Sequence, residues 1–279
     1  MSKYSTTAAS TPLPIRSPRI FPVHEGKGII VTGGAGGIGK AIAELLSAQG
    51  ARVVIADRDA GTAEAAAQAL GGAAKGCHAL AMDVGMEASV VAGIESAANL
   101  LGTIDGLVNC AAIVLHADPL SVSWDDWRRQ FDVNLFGAYE ASRRVAIHMI
   151  DKGIRGAMVS IASEAGKKGH KESLAYSASK AAVISMTRML SEALAPHDIN
   201  VNCVCPGGVA TPMLREVSEA YSSFTGEAAP AIFDKMLSQQ LIRHLQPVEV
   251  ARVASFLLTD DAMLIRGQAV NADAGETPY

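Results

Sequence analysis

The feature that most constrains this chain is a repeated alternation. Short apolar runs are separated by longer amphipathic stretches from Gly28 to the C-terminus. The runs are "GIIVTG", "ARVVIAD", "CHALAMD", "IDGLVNCAA", "GAMVSIAS", "INVNCVCP" and "GQAVNADAG". A strand with one wet face alternates apolar and polar residues, whereas near-continuous apolar runs need cover on both faces. Between them lie helix-like segments, among them "IGKAIAELLSAQG", closed by Gly50, and the long "SVSWDDWRRQFDVNLFGAYEASRRVAIHMIDKG", with Ser123 and Asp126 at capping-box spacing. Strand–helix alternation implies a doubly wound, parallel, seven-stranded α/β sheet with helices on both faces. Right-handed crossovers then gather the loops that follow the strands on one edge, where ligands bind.

The alternation is read as a single-domain Rossmann fold over residues 26–279. Residues 212–245 lie outside it, between the sixth strand and the last helix, and are expected to fold over the ligand edge as a lid. Residues 1–25 are rich in Ser, Thr and Pro, acid-free until Glu25, and lack the apolar core of a secretory signal. Two arginines and several hydroxyl residues also fit a transit peptide, but the expectation is a flexible arm, or one that packs on a neighbouring subunit. A net charge of −4 gives no electrostatic case for nucleic acid or an anionic membrane surface. No stretch reaches 18 consecutive apolar residues, so no transmembrane helix is expected. Cys77, Cys110, Cys203 and Cys205 lack the CxxC spacing of a zinc or redox site. Buried reduced thiols, no metal and a cytoplasmic location are the expectation.

"VTGGAGGIGK" sets Gly33, Gly37, Ile38 and Gly39 between the first strand and the first helix. Glycine there permits a tight turn and lets the backbone approach a pyrophosphate, while the helix start offers free N–H groups. Asp57 ends the second strand, 18 residues after Gly39, where a carboxylate can accept bonds from both hydroxyls of an adenosine ribose. It would repel a 2′-phosphate, which predicts NAD over NADP. The Arg58 guanidinium beside it could tolerate that phosphate. Asp59 is better placed to cap the next helix.

On these motifs the chain resembles the short-chain dehydrogenase/reductase family, over about residues 27–275. "TGGAGGIG" (Thr32 to Gly39) matches the family's TGxxxGxG, and Tyr176 and Lys180 match its YxxxK. Ser163, 13 residues ahead of the tyrosine, matches the catalytic serine, and Asn134 the helix asparagine. Asp83 and Val84 match the pair beside the adenine. Asn109 opens the segment after strand four, and Pro206, Gly207, Val209 and Thr211 match the turn after strand six. One motif departs, because "NCAA" stands where the family reads NNAG. Cys110 and Ala112 are the replacements, in a loop passing close to the cofactor's ribose.

The resemblance implies a catalytic set of Asn134, Ser163, Tyr176 and Lys180. An unperturbed tyrosine has a pKa of about 10, and the Lys180 ammonium with a cationic nicotinamide is expected to lower it. Tyr176 then moves the alcohol proton while hydride moves to or from the nicotinamide. Ser163 holds the substrate oxygen, Asn134 and Lys180 support a water-linked proton path, and Thr211 fixes the carboxamide. Each residue taken singly has a plainer role, such as Thr211 capping the next helix; the five at family spacing favour the enzyme. The expected substrate is a small secondary alcohol of the polyol, sugar or cyclic type. Lys167, Lys168, His170 and Lys171, between Ser163 and Tyr176, either form a charged pocket mouth for an anionic or polyhydroxylated substrate or turn outward into solvent. A 3-oxoacyl carrier-protein reductase and a non-catalytic NAD-binding sensor or scaffold are the alternatives. Relatives form dimers or tetramers, so a homo-oligomer is expected too.

Overall fold

The computed structural model describes residues 11–17 and 20–278. The chain runs β1 (Gly28–Thr32), α1 (Gly37–Ala48), β2 (Arg52–Asp57), α2 (Ala60–Ala69), β3 (Cys77–Ala81), α3 (Glu87–Leu101) and β4 (Gly106–Asn109). It continues through α4 (Trp124–Phe131), α5 (Gly137–Lys152), β5 (Ala157–Ile161), the short α6 (Ala165–Lys168), α7 (Leu174–Leu194) and β6 (Asn200–Pro206). Then come α8 (Pro212–Thr225), α9 (Ala229–Lys235), α10 (Pro247–Leu257) and β7 (Ala269–Ala272). All seven strands pair in parallel in the order β3-β2-β1-β4-β5-β6-β7. The chain reverses direction across the sheet between β1 and β4, which makes their carboxyl ends the switch point where a ligand crevice opens.

The two-residue period of the strands divides the core into two layers. Ile29 and Val31 of β1, with Val53 and Ile55 of β2, pack under α1 and α10 against Ile42, Leu46, Val250 and Leu257. Ile30, Val54 and Ala56 face the other way, onto Val90 and Ile94 of α3 and Val145 and Met149 of α5. These side chains are essentially inaccessible, so truncating one such as Ile30 to Ala costs about 2–5 kcal/mol.

The caps read from the sequence form. Ser123 Oγ accepts from Asp126 N–H at 3.0 Å and Asp59 Oδ1 from Thr62 N–H at 2.8 Å. The long helix expected over 121–153 differs in one respect: a π turn, Asp132–Phe136, joins α4 to α5. Asn134 is buried in that turn.

Of the arm expected over residues 1–25, residues 1–10, 18 and 19 lie outside the described residues. Leu13 N–H donates to Leu241 O at 3.0 Å, and Arg243 Nε to Leu13 O at 2.6 Å. His24 is fully buried, with Nε2 3.0 Å from Ser255 Oγ.

Candidate active site

A cleft of about 750 Å³ follows the carboxyl edge of the sheet. Its walls come from the loops after β1, β2, β3, β4, β5 and β6, and from α8 and α9 above. Residues 212–214, 216, 217, 221, 235–237 and 239 of the segment expected as a lid line it.

At one end the walls are mainly backbone. Gly33 has φ +62°, and a Cβ there would lie 2.7 Å from Ala111 Cα. A Cβ on Gly39 would collide with the Gly33 carbonyl oxygen, so this glycine seats α1 on the turn. Gly37 has φ +51° and faces only the Thr211 side chain, at 3.5 Å, leaving its backbone open to the cleft. Gly33, Gly37, Ile38, Asp57, Arg58, Asp83 and Val84 all line this end. Asp57 accepts from Ala35 N–H and Asp59 N–H at 3.3 and 3.4 Å, long bonds that leave acceptor capacity toward the cleft.

The loop after β4 is tied to the glycine turn. Thr32 Oγ1 accepts from Cys110 N–H at 3.1 Å and Ala111 N–H at 3.3 Å. Ala112 is not one of the residues with a positive φ, so its methyl fits without backbone strain. Burial pushes the Cys110 thiol up to about 12, which keeps it protonated and unreactive. Asn109 does not line the cleft. Its amide donates to Ser142 Oγ at 2.9 Å and Ser160 Oγ at 3.3 Å, inside the sheet–helix layer.

Farther along the cleft the walls carry reactive side chains. Ser163 follows β5, and Tyr176 and Lys180 stand one turn apart on α7. The Ser163 hydroxyl lies beside the Tyr176 phenol and lowers its pKa, and its Oγ accepts from Ala165 N–H at 3.1 Å. Lys180 Nζ donates to Ile161 O at 2.7 Å and lies 5.7 Å from the centre of the Tyr176 ring. Asn134 is not on the cleft wall. It holds Ile113 by both backbone groups, at 2.8 and 2.9 Å, and donates to Ser179 Oγ at 3.0 Å. Ile113 in turn lines the cleft, so Asn134 shapes the wall from behind. Pro206, Gly207, Val209 and Thr211 close the same region. Thr211 also caps α8, its Oγ1 accepting from Leu214 N–H at 3.3 Å.

The lowered Tyr176 pKa is expected with a cationic nicotinamide beside it, and the chain's own groups do not supply it. Burial dominates and pushes the phenol up to about 12, against the smaller opposing pull of the neighbouring Ser163 hydroxyl. Burial also brings Lys180 down to about 8. Both shifts favour the neutral forms, because a dry site disfavours charge of either sign.

The charged loop, read either as a pocket mouth or as turned outward, divides between the two. Lys167 turns to β7, donating to Ala269 O at 2.9 Å and to Asn271 Oδ1. Lys168 Nζ lies 2.8 Å from Glu164 and His170 Nε2 lies 3.5 Å from it, while Lys171 is exposed beside Glu172 at 3.6 Å. Of the four, Lys168 and His170 reach the cleft, and there both sit against the Glu164 carboxylate. Burial would raise the Glu164 pKa, but bonds from His170 and Lys168 outweigh it and leave the carboxyl below its ordinary range. A carboxylate this sheltered needs such partners to stay ionised. The loop therefore presents a matched ion cluster rather than a bare positive mouth.

Glu164, Glu276, His116 and Tyr221 line the cleft without having been singled out in the sequence. Glu164 had a local signal, being four residues ahead of Lys168 and next to Ser163. The others come from separate loops, α8 and the C-terminus, and carry no local pattern.

The fold and cleft define a doubly wound α/β protein with its site at the switch point. The family profile described as short chain dehydrogenase matches residues 27–222. The 2,5-dichloro-2,5-cyclohexadiene-1,4-diol dehydrogenase of Sphingobium indicum is 34% identical over 256 residues, covering 90% of this chain and 97% of that protein. Galactitol 2-dehydrogenase of Agrobacterium fabrum is 35% identical over 250 residues, covering 88% and 95%. Among solved structures, a 3-ketoacyl-(acyl-carrier-protein) reductase from Brucella melitensis complexed with NADH superposes with a TM-score of 0.78 at 29% identity, covering 90% of this chain and 98% of that one. The chain belongs to the short-chain dehydrogenase family of oxidoreductases. Among the described residues no helix is long and apolar enough to cross a membrane.

Proposed function

We propose that this protein is an NAD(H)-dependent oxidoreductase that interconverts a small secondary alcohol and its ketone. One observation carries the reading. A buried phenol beside a serine hydroxyl, with a lysine ammonium 5.7 Å from its ring, shares a single cleft with a glycine-built turn and the Asp57 carboxylate.

The glycine turn fits a dinucleotide. Gly33 and Gly39 leave no room for a β-carbon, and Gly37 leaves its backbone open to the cleft. Gly36, Gly37 and Ile38 would hold the pyrophosphate at the start of α1, Asp57 the adenosine ribose, and Asp83 and Val84 the adenine edge. Thr211 and Val209 would hold the carboxamide end, with the Thr211 hydroxyl exchanging its present bond to the Val209 carbonyl for it. A bound nicotinamide supplies the hydride acceptor or donor.

The chain's own groups handle the proton. A phenol held near 12 is protonated at neutral pH, ready to give its proton to a ketone oxygen. The reverse step, taking the proton from an alcohol, requires positive charge in the cleft to stabilise phenolate; Lys180 contributes it while protonated, below about pH 8. Ser163 stands beside the phenol on the cleft wall and would hold the same substrate oxygen. Asn134 positions Ile113 and the wall rather than touching the reacting atoms.

The diol and galactitol dehydrogenases among the relatives support an alcohol substrate. The carrier-protein reductase neighbour, itself complexed with NADH, supports a second reading in which the substrate is a 3-ketoacyl thioester. Fluorescence titration with NADH and NADPH, then turnover on alcohol and 3-ketoacyl panels, separates them. The account expects tighter NADH binding, alcohol turnover, and loss of the NADH preference in Asp57→Ala. NADPH preference by the wild type would refute the role given to Asp57, and cofactor binding without turnover on either panel would favour a sensor.

A further inference from the structure

The half of the cleft beyond Tyr176 holds a polar station that the proton-handling groups do not use. His116, from the loop after β4, lines the cleft, and its Nε2 is buried without a hydrogen-bond partner. Its Nδ1 lies 3.1 Å from Ser173 Oγ. Ser173 is the residue before α7, three positions ahead of Tyr176, and it is itself buried on the cleft wall. His116 is therefore fixed to the same helix start that carries the reactive phenol. Tyr221 of α8 packs edge-on to the imidazole, ring centres 5.2 Å apart at 64°, and its hydroxyl donates to Glu172 Oε2 at 3.3 Å. The lid helix, the β4 loop and the start of α7 meet at this one ring.

A buried polar atom without a partner costs free energy that a ligand can recover. Burial lowers the His116 pKa, so the ring is neutral at physiological pH, with one nitrogen a donor and the other an acceptor. The Ser173 hydroxyl can serve Nδ1 in either sense, so Nε2 is an acceptor in one tautomer and a donor in the other. A hydroxyl group satisfies both, a ketone or ether only one, and an alkyl group neither. An anion is disfavoured, because Glu172 stands behind Tyr221, and the nearby Lys168 and His170 are already engaged by Glu164.

We infer that His116 Nε2 binds a second hydroxyl of the substrate, which makes the preferred substrate a neutral diol or polyol rather than a simple or anionic alcohol. This rests on the oxidoreductase reading for the first hydroxyl, at Ser163 and Tyr176. His116 is a specificity-determining residue, not a proton carrier for the reaction.

Binding to the full chain with NADH present tests it, since an alcohol with reduced cofactor cannot turn over. The probes are cyclohexane-1,2-diol, cyclohexane-1,4-diol and butane-2,3-diol beside cyclohexanol, butan-2-ol and 3-hydroxycyclohexanecarboxylate. At least one diol should bind about tenfold tighter than its mono-alcohol, as one well-placed hydrogen bond allows. His116→Phe should bring that ratio to within about twofold, leaving mono-alcohol and NADH affinities unchanged, and His116→Gln should restore part of it. NADH binding by both variants controls for folding. The inference is overturned if no diol outbinds its partner, if the preference survives His116→Phe, or if the carboxylate binds best. A His116-dependent preference without any alcohol oxidation would keep the subsite and sink the oxidoreductase reading. Equal oxidation of diols and mono-alcohols would do the reverse.

Discussion

The two ends of the cleft are built from different materials. At the glycine turn the chain approaches itself so closely that Gly33 and Gly39 have no space for a methyl group, and the turn offers the cleft mainly backbone. Beyond Tyr176 the walls are side chains from four separate stretches, among them His116, Glu164, Tyr221 and Glu276. A backbone site is fixed by local chain geometry and tolerates little change. A side-chain site is fixed by pairings such as Lys168 with Glu164 and can be retuned one partner at a time. One end can thus stay the same across many substrates while the other varies.

The first way to break this contrast is Gly33→Val, for which the largest effect is expected. A β-branched residue at φ +62° brings about 1–3 kcal/mol of backbone strain before its clash with Ala111 is counted. NADH affinity should fall by more than about tenfold, with a lower Tm in thermal melts. Binding that persists would show the turn to be more compliant than its packing indicates.

Glu164→Gln probes the other end with a smaller change. It frees Lys168 and His170 from their shared carboxylate and leaves the backbone intact. KM for the alcohol should move by about three- to tenfold, with NADH affinity unchanged in the same titration. A parallel loss of NADH binding would mean that the two ends are not separable. The weakest effect is expected for Lys171→Ala, since that side chain is exposed and beside Glu172 only. Exposed pairs contribute about 0–1 kcal/mol, so steady-state KM should stay within about twofold. A larger change would restore the charged doorway that the ion cluster replaces.

How much of this was legible in the sequence follows the same division. The seven strands and the glycine turn could be read because each depends on neighbours in the chain: a two-residue or 3.6-residue period, a glycine where no side chain fits. Tyr176 and Lys180 were readable as one helical turn. The π turn at Asp132–Phe136 was not, because a single wide turn inside a long helix has no residue signature of its own. The direction of the Tyr176 shift depends on how dry the site is, a property of the whole assembled cleft. Lys167 is held on β7 and Lys168 also lies 3.8 Å from Glu276, each about a hundred residues away, so spacing alone could not show how all the loop's charges were matched. His116 gave no signal at all until α8 and the start of α7 were folded against it.

The central claim is that hydride and proton move within this one cleft, with Tyr176 carrying the proton. The most direct measurement uses deuterium-labelled NADH and the ketone of whichever panel alcohol the protein accepts, following label at the carbinol carbon in wild type and Tyr176→Phe. The account predicts label at that carbon in the wild type. In Tyr176→Phe the rate should fall by about 10²–10⁴-fold while NADH binding is kept. No transfer to any ketone despite tight NADH binding, or transfer at an undiminished rate in Tyr176→Phe, would contradict it.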